Sequence, residues 1–126
     1  MKNPFQMSRR RWLLVSAASI ASNPLAAQDA FPSRPVNLVV PFPPGGLADS
    51  VARQFAPSLE RVLGQPVVVQ NRAGAAGAIG AAAVASAKPD GYSILFTLSS
   101  LSTLPEQAEV NRQKPAFLLS QLKPVA

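Results

Sequence analysis

The segment with the clearest chemical potential is the turn from Pro41 to Asp49, which reads PFPPGGLAD and directly follows the mostly apolar run Val36 to Val40. A strand that stops at a proline-rich, double-glycine turn and opens into a helix leaves backbone N–H groups without partners near the turn. Such groups, together with the helix dipole, hold anions. The sequence therefore predicts a site for a small anionic ligand, with a carboxylate as the first candidate.

Two further loops follow apolar runs in the same way. Asn71 to Gly77 follows Val67 to Gln70, and Ser99 to Thr103 follows Tyr92 to Leu98. In open α/β sheets, ligands bind outside the carboxyl ends of the strands, where the strand order reverses, so we expect the three loops to converge on one site. Two of the loops lead into helices, whose amino ends can hold a carboxylate without a lysine.

Each of these residues also has a purely structural interpretation. Gly45 and Gly46 could serve only to make a tight turn. Asp49 falls in the first helical turn, where an acidic side chain interacts favourably with the helix dipole, as an alternative to direct ligand contact. Ser99 and Ser100 could donate hydroxyl groups to a ligand or merely cap the end of a strand.

Glycine recurs at every third position of the second loop, at Gly74, Gly77 and Gly80. These glycines could cradle an anion or let a helix pack closely; we assign Gly77 to the loop and Gly80 to packing. Arg72 could bind a ligand carboxylate bidentately. A lone arginine beside a loop is more often solvated or held in a structural ion pair.

The elements that must position the loops alternate along the chain. Val36 to Val40 has the β-branched composition of a strand buried on both faces. Apolar residues three and four apart predict a helix from Leu47 to Gly64, with Asp49 away from the apolar stripe and a bend or break near Ala56, because Pro57 follows. The stripe consists of Leu47, Val51, Phe55, Leu59 and then Val62 or Leu63.

The second half of the chain continues the alternation with a strand at Val67 to Gln70, a small-residue helix at Ala78 to Ala87 and a third strand at Tyr92 to Leu98. Strand-helix-strand-helix-strand with short connections predicts an α/β fold with an open parallel sheet. After Leu98 the periodicity is weak, and Phe117 to Leu122 could be helical or extended. Three strands would leave unpaired edges, so we expect residues 28–126 to form an incomplete α/β lobe.

Residues 1–27 resemble a cleaved export signal, with four basic residues before Trp12, an uncharged stretch of 11 residues from Trp12 to Ser22, and small residues up to Ala27. That stretch is too short for a membrane anchor. Ser8 to Leu14 resembles the twin-arginine export motif, although Trp12 and Leu14 depart from it; the general export route is the alternative.

Composition excludes several function classes. Without the signal, 8 basic and 6 acidic residues remain, a net charge of +2, with no interleaving of basic and aromatic residues, so we expect no nucleic-acid partner. The chain has no Cys and no His. It therefore lacks the commonest zinc ligands and the usual nucleophile and base pairs, and we expect neither an enzyme nor a metal or other cofactor.

Four ordered blocks with matching spacing closely resemble the tripartite tricarboxylate transporter solute receptors, also called Bug-type receptors. The blocks are Pro41 to Gly46 with Asp49, Leu63 to Val69, Asn71 to Gly77 with Ile79 and Gly80, and Pro89 to Tyr92. The resemblance runs from about Phe31 to the end of the chain. It implies one lobe of a type II periplasmic-binding-protein fold, in a periplasmic receptor whose two lobes close over a small carboxylate.

The resemblance also implies partners and site residues. The ligand would pass to integral membrane subunits of a transporter driven by an ion gradient. The family binds its carboxylate through the first loop and the second glycine loop, partly through ordered waters; here Ala73 replaces a common proline and Ala76 a common glycine. The expected ligand-binding residues are Phe42, Pro44, Gly45, Gly46, Asp49, Gly74, Ala75, Ala76, Gly77, Ser99 and Ser100.

The chain covers little more than the first third of such a receptor. Without a facing lobe, much of the burial and of the donor set is missing, so we expect weak or no dicarboxylate binding by the chain alone. One alternative is a nonfunctional truncated remnant, which the DNA beyond the codon for Ala126 would distinguish. The other is a nucleotide-binding oxidoreductase fragment, but Gly-x-Gly-x-x-Gly is absent after the first strand and no acidic residue ends the second.

Overall fold

In the computed structural model of the chain, residues 30–125 are described, so the expected export signal at residues 1–27 lies outside the described residues. Three strands alternate with helices: β1 (Val36–Val40), α1 (Leu47–Leu63), β2 (Val67–Asn71), α2 (Ala78–Ala85), β3 (Ser93–Leu95) and α3 (Leu104–Val110). Short 3₁₀ turns lie at Ala75–Gly77, Ser99–Thr103 and Leu119–Gln121. No helix in this part of the chain is long and apolar enough to cross a membrane.

The three strands form one parallel sheet in the order β2-β1-β3. Val36 of β1 pairs with Val67 of β2, and Leu38 pairs with Ile94 of β3. The predicted open parallel sheet is thus confirmed, with the most apolar strand at its centre. All three strands end at the same edge of the sheet, which is the edge where the three loops begin.

Side chains of β1 alternate between two helical layers, because successive residues of a strand point to opposite faces. Val36, Leu38 and Val40 are buried and belong to the cluster that contains residues of α1. Asn37 and Val39 line the opposite face, together with Val84 of α2. The sheet therefore lies between α1 and α2.

The face of helix α1 that packs against the sheet is not the one that carries its large apolar residues. Ala48, Ala52 and Ala56 are buried against the sheet, whereas Leu47 is 73% exposed and Phe55 is also exposed. The alanines lie four residues apart on one face, and their small side chains let the helix approach the strands closely. Asp49 shares the buried side of the helix.

The sequence predicts a bend or break near Ala56, and the break does not occur, because α1 runs without interruption from Leu47 to Leu63. Pro57 lacks an N–H group and cannot bond the carbonyl of Arg53, four residues earlier. Both residues are exposed, so water can replace the missing hydrogen bond. Gly64 ends the helix in a left-handed conformation with its N–H group bonded to the carbonyl of Glu60, as the sequence predicts.

Beyond β2 the elements are shorter than predicted, and one was missed. Helix α2 stops at Ala85 and β3 covers only Ser93–Leu95, while the loop after β3 is a 3₁₀ turn. Helix α3 follows where the sequence has little apolar periodicity. Its start signals are Pro105 in the first turn, followed by Glu106, which favour a helix amino end without any apolar stripe.

Candidate functional site

The first loop leaves β1 at the buried Pro41 and enters α1 at Gly46. Gly45 has a φ of 82°, in the left-handed region that favours glycine, whereas Gly46 is extended with a φ of −75° and a ψ of 174°. The two glycines therefore have different structural roles. Gly45 reverses the chain, and Gly46 is the residue that caps α1.

The carboxylate of Asp49 is hydrogen-bonded to the backbone of this loop. Asp49 is 3% exposed, and its Oδ2 atom accepts hydrogen bonds from the N–H group of Gly45 at 2.8 Å and from Nε of Arg53 at 3.0 Å. Its Oδ1 atom accepts from Nδ2 of Asn71 at 2.9 Å. Arg53, then the Gly45 amide and Asn71, lower the pKa of Asp49 to about 2. The ionised side chain thus faces its own loop, which favours the structural interpretation; contact with a ligand stays a prediction.

The N–H groups of the double glycine already have acceptors, contrary to the expectation that they are unpaired. That of Gly45 bonds Asp49, and that of Gly46 lies 3.4 Å from the carbonyl oxygen of Pro43, a long contact. The next N–H groups, at Leu47 and Ala48, have no acceptor within the helix because they belong to its first turn. Within the described residues, no side chain caps this end of α1. Donors for an anion therefore lie just after the glycines.

The second loop has an unusual backbone. Gly74, Ala75, Ala76 and Gly77 have φ values of 135°, 45°, 55° and 104°. The N–H group of Gly77 donates to the carbonyl of Gly74 at 2.9 Å, which closes the turn. A left-handed conformation costs an L-residue such as alanine about 1–2 kcal/mol. Strain of this kind is often found at ligand sites, although it does not identify a ligand.

The structure brings the first two loops into contact. A Cβ atom added at Gly77 would lie 3.5 Å from Cβ of Pro41 and 3.7 Å from Cζ of Phe42. One added at Gly80 would lie only 2.7 Å from Cβ of Pro41 and 2.8 Å from the carbonyl oxygen of Arg72. The assignment of Gly80 to packing is confirmed, whereas a role of Gly77 in holding an anion stays a prediction. Pro41 is the residue on which the loops meet.

The third loop begins at the same edge of the sheet. Ser99 and Ser100 are exposed, and their carbonyls accept hydrogen bonds at 2.9 Å from the hydroxyls of Ser102 and Thr103, respectively. Neither serine caps the 3₁₀ turn through its side chain. Their hydroxyl groups as ligand donors stay a prediction. Arg72 borders a cavity of about 140 Å³ between α2 and the sheet, and no ion pair of Arg72 occurs among residues 30–125.

A cleft of about 280 Å³ joins the second loop to the missed helix α3. Lys114, which is exposed and cationic, and the buried Phe117 are among its lining residues. Ala75 and Ala76 of this cleft are among the residues predicted from the sequence to bind a ligand, whereas its α3 residues are not. The lining residues are Ala75, Ala76, Ala78, Leu104, Pro105, Gln107, Ala108, Asn111, Gln113, Lys114, Ala116 and Phe117.

The loops and the cleft offer several hydrogen-bond donors. Backbone N–H groups, serine hydroxyls and one lysine are donors suited to a carboxylate. Residues 30–125 contain no group of three or more His, Cys, Asp or Glu side chains that could hold a metal ion.

Comparisons with known proteins show which receptors this chain is similar to. The profile of the "Tripartite tricarboxylate transporter family receptor" matches residues 51–121. Protein BugT from Bordetella pertussis is 44% identical over 123 residues, which are 95% of this chain but only 37% of BugT. Among solved structures, the periplasmic binding protein BugD is 55% identical with a TM-score of 0.58, over 60% of this chain and 25% of BugD.

Another similar protein of known structure was solved with a bound ligand. MatC from Rhodopseudomonas palustris, with bound malate, is 45% identical to this chain with a TM-score of 0.50. The match covers 52% of this chain and 22% of MatC. The matched part is 37% of BugT, 25% of BugD and 22% of MatC, so the chain spans well under half of the length of these relatives and matches their α/β fold only over that part.

Proposed function

This chain belongs to the tripartite tricarboxylate transporter receptor family, and we propose that it is part of a periplasmic receptor that captures a small carboxylate. The receptor delivers its ligand to the integral membrane subunits of a secondary transporter. It binds the ligand without transforming it. The relatives named BugT and BugD support the receptor assignment, and the malate bound to MatC supports the ligand class.

One observation carries this proposal: the two glycine-containing loops touch at the carboxyl ends of neighbouring parallel strands. Gly77 packs against Pro41 and Phe42, so the amino ends of α1 and α2 are held near one edge of the sheet. Each helix end contributes about half a positive charge and N–H donors without helical acceptors. A carboxylate between these ends is stabilised without a dedicated arginine or lysine.

The expected ligand-binding residues fall into three groups. Phe42 and Gly77 lie where the loops meet, and Gly46 precedes the first turn of α1; these three residues are proposed to contact the ligand or its waters. Gly45 and Asp49 bond to each other, so their proposed part is to hold the loop in shape. Pro44, Gly74, Ala75, Ala76, Ser99 and Ser100 are proposed as rim positions of the same site.

The chain alone supplies one side of the site. Pockets that hold small molecules bury most of the ligand surface, and a single sheet edge with exposed loops does not. The longer relatives leave room for a facing lobe, so we expect the chain alone to bind dicarboxylates no more tightly than in the millimolar range. Location in the periplasm, through an export signal at residues 1–27, forms part of the same proposal.

Calorimetry with malate, succinate and citrate tests the proposal on the chain and on the product of its full reading frame. We expect weak or undetectable heat with the chain and micromolar binding of one of these carboxylates by a product as long as the relatives. Titration with NAD⁺ is the control for the nucleotide-binding alternative. NAD⁺ binding, or no carboxylate binding by a folded full-length product, would refute the receptor function; micromolar binding by the chain would refute only the need for a facing lobe.

A further inference from the structure

We propose that Asn71 is a positioning residue that fixes the first ligand loop by joining the carbonyl of Phe42 to the carboxylate of Asp49. Asn71 is the last residue of β2, and its side chain crosses to the loop that follows β1. The inference rests on the proposed function in one respect: the loop that Asn71 holds matters for binding only if that loop contacts the ligand. Its test requires no ligand.

The amide group of Asn71 is fully used. Nδ2 donates to the carbonyl oxygen of Phe42 at 3.1 Å and to Oδ1 of Asp49 at 2.9 Å, which accounts for both of its hydrogens. Oδ1 of Asn71 accepts from the guanidinium group of Arg53 at 3.1 Å. One side chain therefore contacts the start of the loop, the first turn of α1 and the second turn of α1.

These contacts set the direction of the Asp49 carboxylate. With Oδ1 held by Asn71, Oδ2 is left to accept from the N–H group of Gly45 and from Nε of Arg53. The Gly45 bond lies at the residue whose left-handed conformation reverses the chain. Without Asn71, the carboxylate can rotate and the turn at Gly45 loses its fixed acceptor.

Asn71 also connects the two ligand loops. The N–H group of Arg72, the next residue, bonds the carbonyl of Val40, and the second loop continues from there to Gly74. The first loop is thus held by a side chain from the strand that carries the second loop. A ligand that fits one loop therefore meets the other loop in a fixed position. This lowers the entropic cost of ordering the loops when the ligand binds.

Amide hydrogen exchange of the ligand-free chain tests this role, with Asn71→Asp as the main variant. This substitution keeps the size of the side chain but replaces both donor hydrogens with a charged oxygen beside Asp49. Asn71→Ser, a smaller uncharged variant, provides the same test if the added charge prevents folding. Gln70→Ala is the matched control, because Gln70 is the neighbour in the same strand and bonds Asn37 on the opposite face at 2.9 Å.

In both Asn71 variants we expect the Gly45 amide to exchange about tenfold faster, beyond any change shared with the central strand β1, since its charged acceptor is no longer held in place. In Asn71→Ser, the pKa of Asp49 measured by NMR should rise toward its ordinary value. Gln70→Ala should change neither. Unchanged Gly45 exchange in both Asn71 variants, or an equal effect of Gln70→Ala, would overturn the proposal.

Discussion

Replacing Gly80 with alanine should destabilise the chain although alanine is the better helix former. Gly80 lies inside α2, where alanine gains about 1 kcal/mol over glycine from helix propensity. The added Cβ would, however, lie 2.7 Å and 2.9 Å from Cβ and Cα of Pro41 and 2.8 Å from the carbonyl oxygen of Arg72. These atoms belong to backbone or to a rigid ring, so no side-chain rotation relieves the contacts.

The magnitude follows from the difference between these two effects. Overpacking of a buried position costs about 1–3 kcal/mol, and three rigid contacts under 3 Å place Gly80→Ala near the upper value. After the gain in helix propensity, we expect a net loss of about 2 kcal/mol. For a domain of this size, the loss corresponds to a fall of about 8–16 °C in the midpoint of thermal unfolding.

Thermal and urea unfolding followed by circular dichroism measure this loss, and Gly64→Ala serves as the matched control. A Cβ atom at Gly64 meets nothing within 4 Å, but the residue has a φ of 67°, so only backbone strain of about 1 kcal/mol is expected. Gly80→Ala should also shift the amide resonances of Phe42 and Gly77, because its contacts lie under both loops. Gly64→Ala should leave those resonances in place.

The reasoning fails if Gly80→Ala unfolds at the wild-type temperature or above it. Such a result would mean that α2 moves away from Pro41 at no cost, and that the two loops do not depend on this close approach. A loss equal to that of Gly64→Ala, without shifts at Phe42 and Gly77, would equally contradict a steric origin.

Two further predictions concern the charged group and the strained backbone of the loops. Because the pKa of Asp49 is lowered to about 2, its ionised form stabilises the fold above about pH 4, and that contribution is lost as the pH falls towards 2. The gap in unfolding temperature between the wild type and Asp49→Asn should therefore narrow over this pH range; a constant gap would contradict the assignment. Ala76→Gly should raise stability by about 0.5 kcal/mol, since relief of left-handed strain exceeds the added chain entropy. Ala82→Gly, inside α2, should lower stability by about 1 kcal/mol, and a loss in both variants would disprove the strain at Ala76.

The sequence was sufficient to predict the alternation of strands and helices and the edge at which the loops lie. Val36 to Val40 is too apolar for an edge strand, and Gly64 and the glycines of the loops mark the ends of elements locally. Parallel pairing then follows from the short connections between alternating elements. The contact of Gly77 with Pro41 and Phe42 agrees with the expectation that the first two loops converge.

The buried face of α1 could not be predicted in the same way. Leu47, Val51 and Phe55 lie four residues apart, but so do Ala48, Ala52 and Ala56, one position later. Hydrophobic periodicity selects the first row because its side chains are larger. The alanine row is the one that packs on the sheet, because only small side chains let the helix approach the strands closely. This choice depends on strand residues that are distant from the helix in the sequence.

The bonds around Asp49 were out of reach for a related reason. Gly45 and Arg53 are near Asp49 in the sequence, but Asn71 is 22 residues away and reaches it only because β1 and β2 are adjacent. An acidic residue in the first turn of a helix is usually explained by the helix dipole alone. The bond from its third partner, Asn71, depends on the pairing of β1 with β2.

The first and second loops are held in shape by different means, and both depend on contacts beneath them. Gly45 reverses the first loop with its N–H group bonded to Asp49, whereas Ala75 and Ala76 take left-handed conformations in the second. The second loop is instead held where Gly77 and Gly80 pack on Pro41. A substitution at any of these positions therefore changes loop shape before it changes ligand contact. In binding studies of the proposed receptor, a loss of affinity identifies a ligand contact only when the resonances of the neighbouring loop are unchanged.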